Sequence, residues 1–348
     1  MTTKTRYFLL GSFAVLVAGL CTGLIAYYGG LPTGAFAQKP GPAEFSYVPP
    51  SAAVVAYADV HEVMGSELRH RLRDVMPSGE AKGREEFQQR TGIDLEQDID
   101  HVVACMIPRT ADGPEWDSGF VAFRGRFDNV RLEALAREHG AAVEDYKGKR
   151  LLTLARHEGS DEGEDEGESE EPAHAGKPSM TLVFVEPGLV MMGDGRAVRQ
   201  AIDTAASGRD VTGNTDMMRL VKDVEGGANA WAVGRFDVIA NRARLPEGVS
   251  SQIPAIKWFA AAARVNGGVA GSLLAEARDE EAARNLRDVA GGFLALGRMQ
   301  AGSRPELQTM LQSLQLSGTG TTVQLSFAVP TEILDALAGA AKGHQPRN

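Results

Sequence analysis

The stretch AVVAYADV at residues 53–60 decides the fold, because it is a short apolar strand followed at once by a helical pattern. A similar stretch, AWAVGRFD at residues 230–237, is also followed by a helical pattern. Each stretch opens the same predicted order of strand, helix, two strands, helix, two strands and helix. Hairpins that alternate with helices in this way are typical of an α+β fold. The sequence therefore predicts two related α+β units, each an antiparallel sheet with helices packed on one face.

The predicted organisation has five parts. An N-terminal tip and an apolar segment occupy residues 1–28, and a linker rich in Gly, Pro and Ala occupies residues 29–48. The first α+β unit spans residues 49–226 and the second spans residues 227–342, followed by a tail at residues 343–348. An acidic insertion at residues 157–179 interrupts the first unit. Its low-complexity Glu, Asp, Gly and Ser composition predicts disorder.

Short sequence patterns predict where individual helices begin and where one hairpin turns. Asp128 and Asp194 are natural N-caps of two helices in the first unit, and Asp279 is the N-cap of a long helix in the second. Asn266 and Gly267, between two strand-like runs, predict a hairpin. The long helix carries one stripe of apolar residues at helical spacing, namely Ala282, Leu286, Val289, Phe293 and Leu296.

Residues 8–28 form an apolar run of 21 residues without a charge. A hydrocarbon core of about 30 Å needs about 20 helical residues, so the run predicts one transmembrane helix. Lys4 and Arg6 precede it, and positive flanks stay on the cytoplasmic side. We therefore expect a single-pass membrane protein with a cytoplasmic N-terminus and the bulk of the chain periplasmic or extracellular.

Two other interpretations of this segment stay open. Ala35 and Ala37 form a small-x-small site that would permit cleavage before Gln38, although the apolar run is longer than a usual signal peptide. Cys21 follows a partial lipoprotein box, but Leu20 is large for the residue before a lipidated cysteine. Retention as an anchor is the leading interpretation.

One part of the chain resembles a known group of proteins. Pro50, Ala53 and the run Ala56-Tyr57-Ala58-Asp59, together with Gly92-Ile93-Asp94, are similar to segments of bacterial exported, signal-anchored proteins of unknown function. Those proteins have an N-terminal hydrophobic helix and a large α+β ectodomain. The resemblance implies this layout, and it implies no activity and no catalytic residue.

The net charge of −10 is concentrated in one place. Residues 158–171 contain nine acids and no base, so the remainder of the chain carries a net charge of about −1. A nearly neutral body lacks the basic field that nucleic-acid binding requires. The sequence therefore predicts no nucleic-acid partner, and it leaves the oligomeric state open.

Metal and cofactor motifs are absent from the sequence. The seven histidines form no zinc motif, and no cysteine pair accompanies them. The acidic insertion supplies weak candidate cation ligands at Asp161, Glu164, Asp165 and Glu168, but it lacks the ligand spacing of a calcium loop. No phosphate-binding loop occurs, and the turn Gly193-Asp194-Gly195 is interpreted as a helix start. We therefore predict no cofactor and no specific metal site.

Catalytic constellations are equally absent. Cys105 lies in an apolar run and is interpreted as a buried small side chain rather than a nucleophile. Asp94, Glu96 and Asp98 alternate with apolar residues and are interpreted as the solvated side of a turn. The leading hypothesis is a non-enzymatic, membrane-anchored ectodomain that binds a protein or an envelope component. The alternatives are an enzyme whose active site is dispersed along the chain and a cation-responsive protein that uses the acidic insertion.

Overall fold

The computed structural model describes residues 41–69, 78–108, 118–155, 179–238, 256–301, 308 and 311–329. These residues form an α+β fold around one antiparallel sheet of 12 strands. The strands are β1 (Val54–Asp59), β2 (Ile99–Ile107), β3 (Ser118–Gly125), β4 (Ala142–Tyr146), β5 (Lys149–Ala155), β6 (Ser179–Glu186), β7 (Leu189–Asp194), β8 (Ala230–Arg235), β9 (Ile256–Val265), β10 (Val269–Ala277), β11 (Gln315–Ser317) and β12 (Thr322–Val329). Their order across the sheet is β11-β12-β10-β9-β8-β1-β2-β3-β7-β6-β5-β4.

Six α-helices whose two ends both lie among the described residues accompany the sheet. They are α1 (Val60–Met64), α2 (Ser78–Thr91), α3 (Asn129–Glu138), α4 (Gly195–Ser207), α5 (Thr215–Glu225) and α6 (Glu280–Gln300). Two short 3-10 helices, Ala43–Tyr47 and Val211–Gly213, lie before β1 and between α4 and α5.

The strands of the two predicted units join edge to edge in this single sheet. β1 pairs antiparallel with β8, with Ala56 opposite Ala232 and Tyr57 opposite Trp231. β1 and β8 are the two stretches whose similarity predicted the units, 53–60 and 230–237. Each therefore starts its half of the sheet at the centre and the later strands extend outward.

Helices cover both faces of the sheet, so the prediction of helices on one face is wrong in this respect. On one face, which we call the α4 face, α4 and α5 pack on a core that includes Val55, Val103 and Met191. On the opposite face, the α3 face, α3 lies over β5 and α6 lies over β10, β11 and β12. The predicted helix α4 already lies on the face opposite α3, and α5, a helix between β7 and β8 that the sequence analysis did not assign, packs on the same face as α4.

The signal for α5 is nevertheless present in the sequence. Asn214 caps the helix by accepting a hydrogen bond from the backbone N–H of Met217. Its buried residues, Met217, Leu220, Val221 and Val224, recur at the three- and four-residue spacing of one helical face. This apolar stripe is buried on the α4 face, in the same core cluster as the buried residues of α4.

Several local predictions are confirmed. Asp128, Asp194 and Asp279 each accept hydrogen bonds from backbone N–H groups in the first turn of α3, α4 and α6. Val265 pairs with Val269 across the predicted Asn266-Gly267 hairpin. Ala155 pairs with Ser179, so β5 and β6 form a hairpin into which the acidic segment is inserted.

The apolar stripe of α6 is only partly buried. Ala282 and Ala283 pack with Ala277 and Val323, and Leu286 lies against this cluster. Val289, Phe293 and Leu296 are exposed, as is Met299 one turn later. The inner side of this half of the helix carries small residues, since Gly291 approaches Leu316 and Gly297 approaches Leu311.

Among the described residues, no helix combines the length and the apolarity needed to span a membrane. The predicted anchor at residues 8–28 and the acidic segment at residues 158–171 lie outside the described residues.

Candidate functional site

An apolar cavity of about 420 Å³ lies between α2, α3 and the α3 face of the sheet. Small-molecule sites in proteins are mostly apolar clefts of about 300–1,000 Å³, so the size fits a small ligand. The apolar lining consists of Phe87, Ile93, Leu95, Ile99, Phe123, Phe127, Leu132, Leu135, Ala136, Leu154, Leu182, Val190 and Met192.

The strand pattern places the cavity wall on one face. Phe123 lies opposite Val190, and Met192 lies opposite Leu182, in the registers of β3, β7 and β6. Because directly paired residues of adjacent strands point to the same side of a sheet, these side chains form one continuous apolar surface. Leu132, Leu135 and Ala136 face it from α3.

The polar members of the wall are Arg90, Thr91 and His139. The Thr91 hydroxyl donates to the Phe87 carbonyl at 2.7 Å, and His139 Nδ1 lies 2.9 Å from the Leu135 carbonyl. Arg90 forms an exposed ion pair with Glu86 at 2.9 Å. These groups have local partners within their own helices, so the cavity recognises a ligand chiefly through apolar contact.

Helix α2 covers one side of the cavity and is held at its C-terminal end. The Arg131 guanidinium donates to the carbonyls of Gln89 and Arg90, the latter at 3.3 Å. The chain then turns at Gly92, whose φ of +76° suits glycine. A Cβ at this position would lie 2.7 Å from the Arg131 guanidinium. A larger residue than glycine would therefore disturb the hydrogen bonds between Arg131 and the end of α2.

A second concavity, about 750 Å³ and more polar, opens on the α4 face at the ends of β1 and β8. Tyr57 stacks on Trp231 there, with ring centroids 5.7 Å apart. Burial raises the pKa of both the Tyr57 phenol and the Asp59 carboxyl. Gly41 and Pro42 line the same groove, at one end of these central strands.

Three titratable groups converge beside this groove. The buried Glu44 carboxylate accepts a hydrogen bond from Arg124 Nε at 2.7 Å and lies 3.0 Å from His101 Nε2. Arg124 also donates to Glu186 at 2.8 Å. Burial alone would raise the pKa of Glu44, but His101 and Arg124 outweigh it and lower that pKa to about 2. This ion-pair cluster fastens the first 3-10 helix to the sheet.

The individual sequence interpretations have clear outcomes where the structure describes them. Cys105 is buried on β2, and burial raises its pKa to about 12, so it is an inert small side chain. Asp94 and Asp98 accept backbone N–H hydrogen bonds within their turn, and Glu96 pairs with Arg69. Trp231 is in the core, and Trp258 is partly buried against it.

The metal-ligand candidates of the acidic insertion stay a prediction of the sequence. Asp161, Glu164, Asp165 and Glu168 lie outside the described residues. Within the described part of the chain, no group of three or more His, Cys, Asp or Glu side chains could hold a metal ion. No local sequence pattern predicts the apolar cavity, because its wall is assembled from seven separate elements.

Comparison with known proteins gives only structural matches of low sequence identity. No protein-family model matches the chain, and no curated protein matches it. Solved structures that match include two crystal forms of TP0453, a Treponema protein of unknown function. Crystal form III has a TM-score of 0.47 and 10% identity, and the match covers 86% of this chain and 100% of that chain. Crystal form I has a TM-score of 0.42 and 10% identity, with 87% and 99% covered.

Proposed function

We propose that this protein is a membrane-anchored, extracytoplasmic binding protein that holds an apolar ligand, such as one acyl chain of an envelope lipid, between α2, α3 and the sheet. It catalyses no reaction in this proposal. The observation that carries it is the 420 Å³ cavity with its continuous apolar wall. We also propose that the chain consists of two related α+β units, one on each side of the β1–β8 pair.

The ligand class follows from the chemistry of the wall. A carboxylate or phosphate inside the cavity would lose its hydration and find few donors, because Thr91 and His139 already have partners. Burying an uncompensated charge is costly, whereas each buried methylene contributes about 0.8 kcal/mol. A hydrocarbon chain therefore fits the cavity, and its polar head would remain outside.

A non-enzymatic role is supported by the state of the convergent titratable groups. Glu44, His101 and Arg124 bond to one another, and Glu44 is almost fully buried. A catalytic acid or base needs access to the substrate. The enzyme alternative would instead have to use the polar groove that contains Tyr57 and Asp59.

Photo-crosslinking tests the proposal. The full-length chain in lipid nanodiscs would be incubated with a diazirine analogue of palmitic acid, irradiated and mapped by mass spectrometry. We expect labelled peptides from α3 and from β6 and β7. Ala136→Trp fills the cavity and should abolish this labelling.

Ala134→Trp is the matched control, since Ala134 is exposed on the same helix and does not line the cavity. It should leave the labelling unchanged. Equal labelling of α3, β6 and β7 in Ala136→Trp and the unmodified chain would contradict the proposal. So would an unmodified chain in which these peptides carry no label.

A further inference from the structure

The C-terminal half of α6 presents an apolar surface away from the sheet. Phe293 is 68% exposed, Leu296 is 54% exposed and Met299 is 78% exposed. With Val289 they recur at four- and three-residue spacing, so they form one stripe along the helix. We call these four residues the α6 stripe. Contiguous exposed apolar surface of this kind marks a contact with a partner or a membrane.

The small residues beneath the stripe explain why it faces outward. Gly291 and Gly297 lie against Leu316 and Leu311, so α6 approaches the β11–β12 side closely without using its large side chains. The polar side chains of the helix are concentrated in its first half, where Arg287 donates to the carbonyls of Gly318 and Gly320. After Asp288 the helix contains one charged residue, Arg298.

The location of Gly41 and the length of the chain before it argue for a lipid bilayer as the partner of the α6 stripe. α6 begins beside Ala277, at the end of β10, and runs back toward the β9–β10 hairpin. Gly41 lies at the β9–β10 hairpin end of the strands, on the opposite face of the sheet, in a groove with Asn229 and Arg264. The part of the predicted linker that precedes Gly41, residues 29–40, has 12 residues and spans at most about 43 Å at about 3.6 Å per residue.

We infer that the α6 stripe docks on the surface of the lipid bilayer that holds the predicted anchor. This inference rests on the membrane anchoring of the chain that is part of the proposed function. A tethered domain meets the nearby bilayer at a high effective concentration, so a modest apolar face is sufficient for docking. Side chains such as Phe and Leu on one side of a helix bury in the boundary between headgroups and acyl chains. The absence of acids after Asp288 in α6 removes repulsion from anionic lipids.

Depth-dependent quenching tests the docking. The full-length chain with Cys21→Ala would be reconstituted into phosphatidylethanolamine–phosphatidylglycerol vesicles that contain nitroxide-labelled lipid. A fluorophore at Phe293→Cys or Leu296→Cys should lose at least half of its emission. The same fluorophore at Arg284→Cys, on the polar first half of α6, should keep its emission. Cys105 is buried and should not react with the fluorophore.

The outcomes separate the tether from the docking. If all labelled chains, including the Arg284→Cys control, wash off the vesicles at alkaline pH, the predicted membrane anchor is wrong. The docking is then overturned with it. If the chains stay in the vesicles and Phe293→Cys is not quenched, the docking alone is overturned. Disulfide-linked dimers through Phe293→Cys with an unquenched label would assign the stripe to a second copy of the chain and would also overturn it.

Discussion

Arg124 Nε donates to Glu44 Oε1 across 2.7 Å, which ties the first 3-10 helix to the middle of the sheet. Glu44 is 1% exposed and lies 3.0 Å from His101 Nε2 on its other oxygen. Phe45, the next residue, packs edge-on against Trp231 at 6.1 Å. The start of the described chain is thereby fixed against both β2–β3 and β8.

Glu44→Gln should destabilise the protein by about 3 kcal/mol, because Arg124 and His101 lose their buried charged partner and the remaining partner of Arg124, Glu186, is exposed. Urea unfolding followed by tryptophan fluorescence measures the change in the free energy of unfolding. Glu186→Gln is the control, since Glu186 is the exposed partner of Arg124 and its loss should cost less than about 1 kcal/mol. Equal effects of the two substitutions would contradict the structural role of Glu44.

Acid should weaken the fold through the same residue. The folded-state pKa of Glu44 is about 2, below its ordinary value of 4.5. Ionised Glu44 therefore stabilises the fold fully above pH 4.5, and this contribution, about 3 kcal/mol, is lost as the pH falls from 4.5 toward 2. Unfolding curves between pH 6 and pH 2 should show a smaller loss of stability in Glu44→Gln than in the unmodified chain. Parallel curves for the two proteins would show that Glu44 does not titrate with folding.

Cys105 should be unreactive in the native protein. It is buried on β2, and burial raises the pKa of its thiol to about 12, so almost no thiolate exists at pH 7. In a Cys21→Ala background, maleimide should modify the chain only after denaturation, as read by intact-mass spectrometry. Rapid modification under native conditions would indicate an accessible thiol and reopen the nucleophile interpretation.

Deleting residues 158–171 should leave the fold intact, because Ala155 and Ser179 on either side are already paired. If the segment is a flexible loop, shortening it should raise the free energy of unfolding by under about 1 kcal/mol. Calorimetric titration should give the same heats with Ca²⁺ for both proteins. Calcium that stabilises the intact chain and fails to stabilise the deletion variant would favour the cation-responsive alternative.

The elements that depend on local signals were predictable. Asp128, Asp194 and Asp279 mark helix starts because a carboxylate there satisfies backbone N–H groups that the helix leaves open. The Asn266-Gly267 turn marks its hairpin for a similarly local reason, and Cys105 was predictable as buried from the apolar residues around it. Helix α5 was not assigned, although Met217, Leu220 and Val221 carry its pattern.

The sequence by itself determined the α+β class and most strand and helix positions, because each depends on neighbouring residues or on composition; the acidic insertion and the anchor remain predictions of the sequence alone. Only the tertiary structure decided that β1 and β8 pair at the centre of one sheet, that helices cover both faces and that Glu44 reaches His101 and Arg124. It also decided where the apolar cavity and the exposed α6 stripe lie. These features join residues far apart in the chain, and pairing of that kind depends on how whole faces pack rather than on any local pattern.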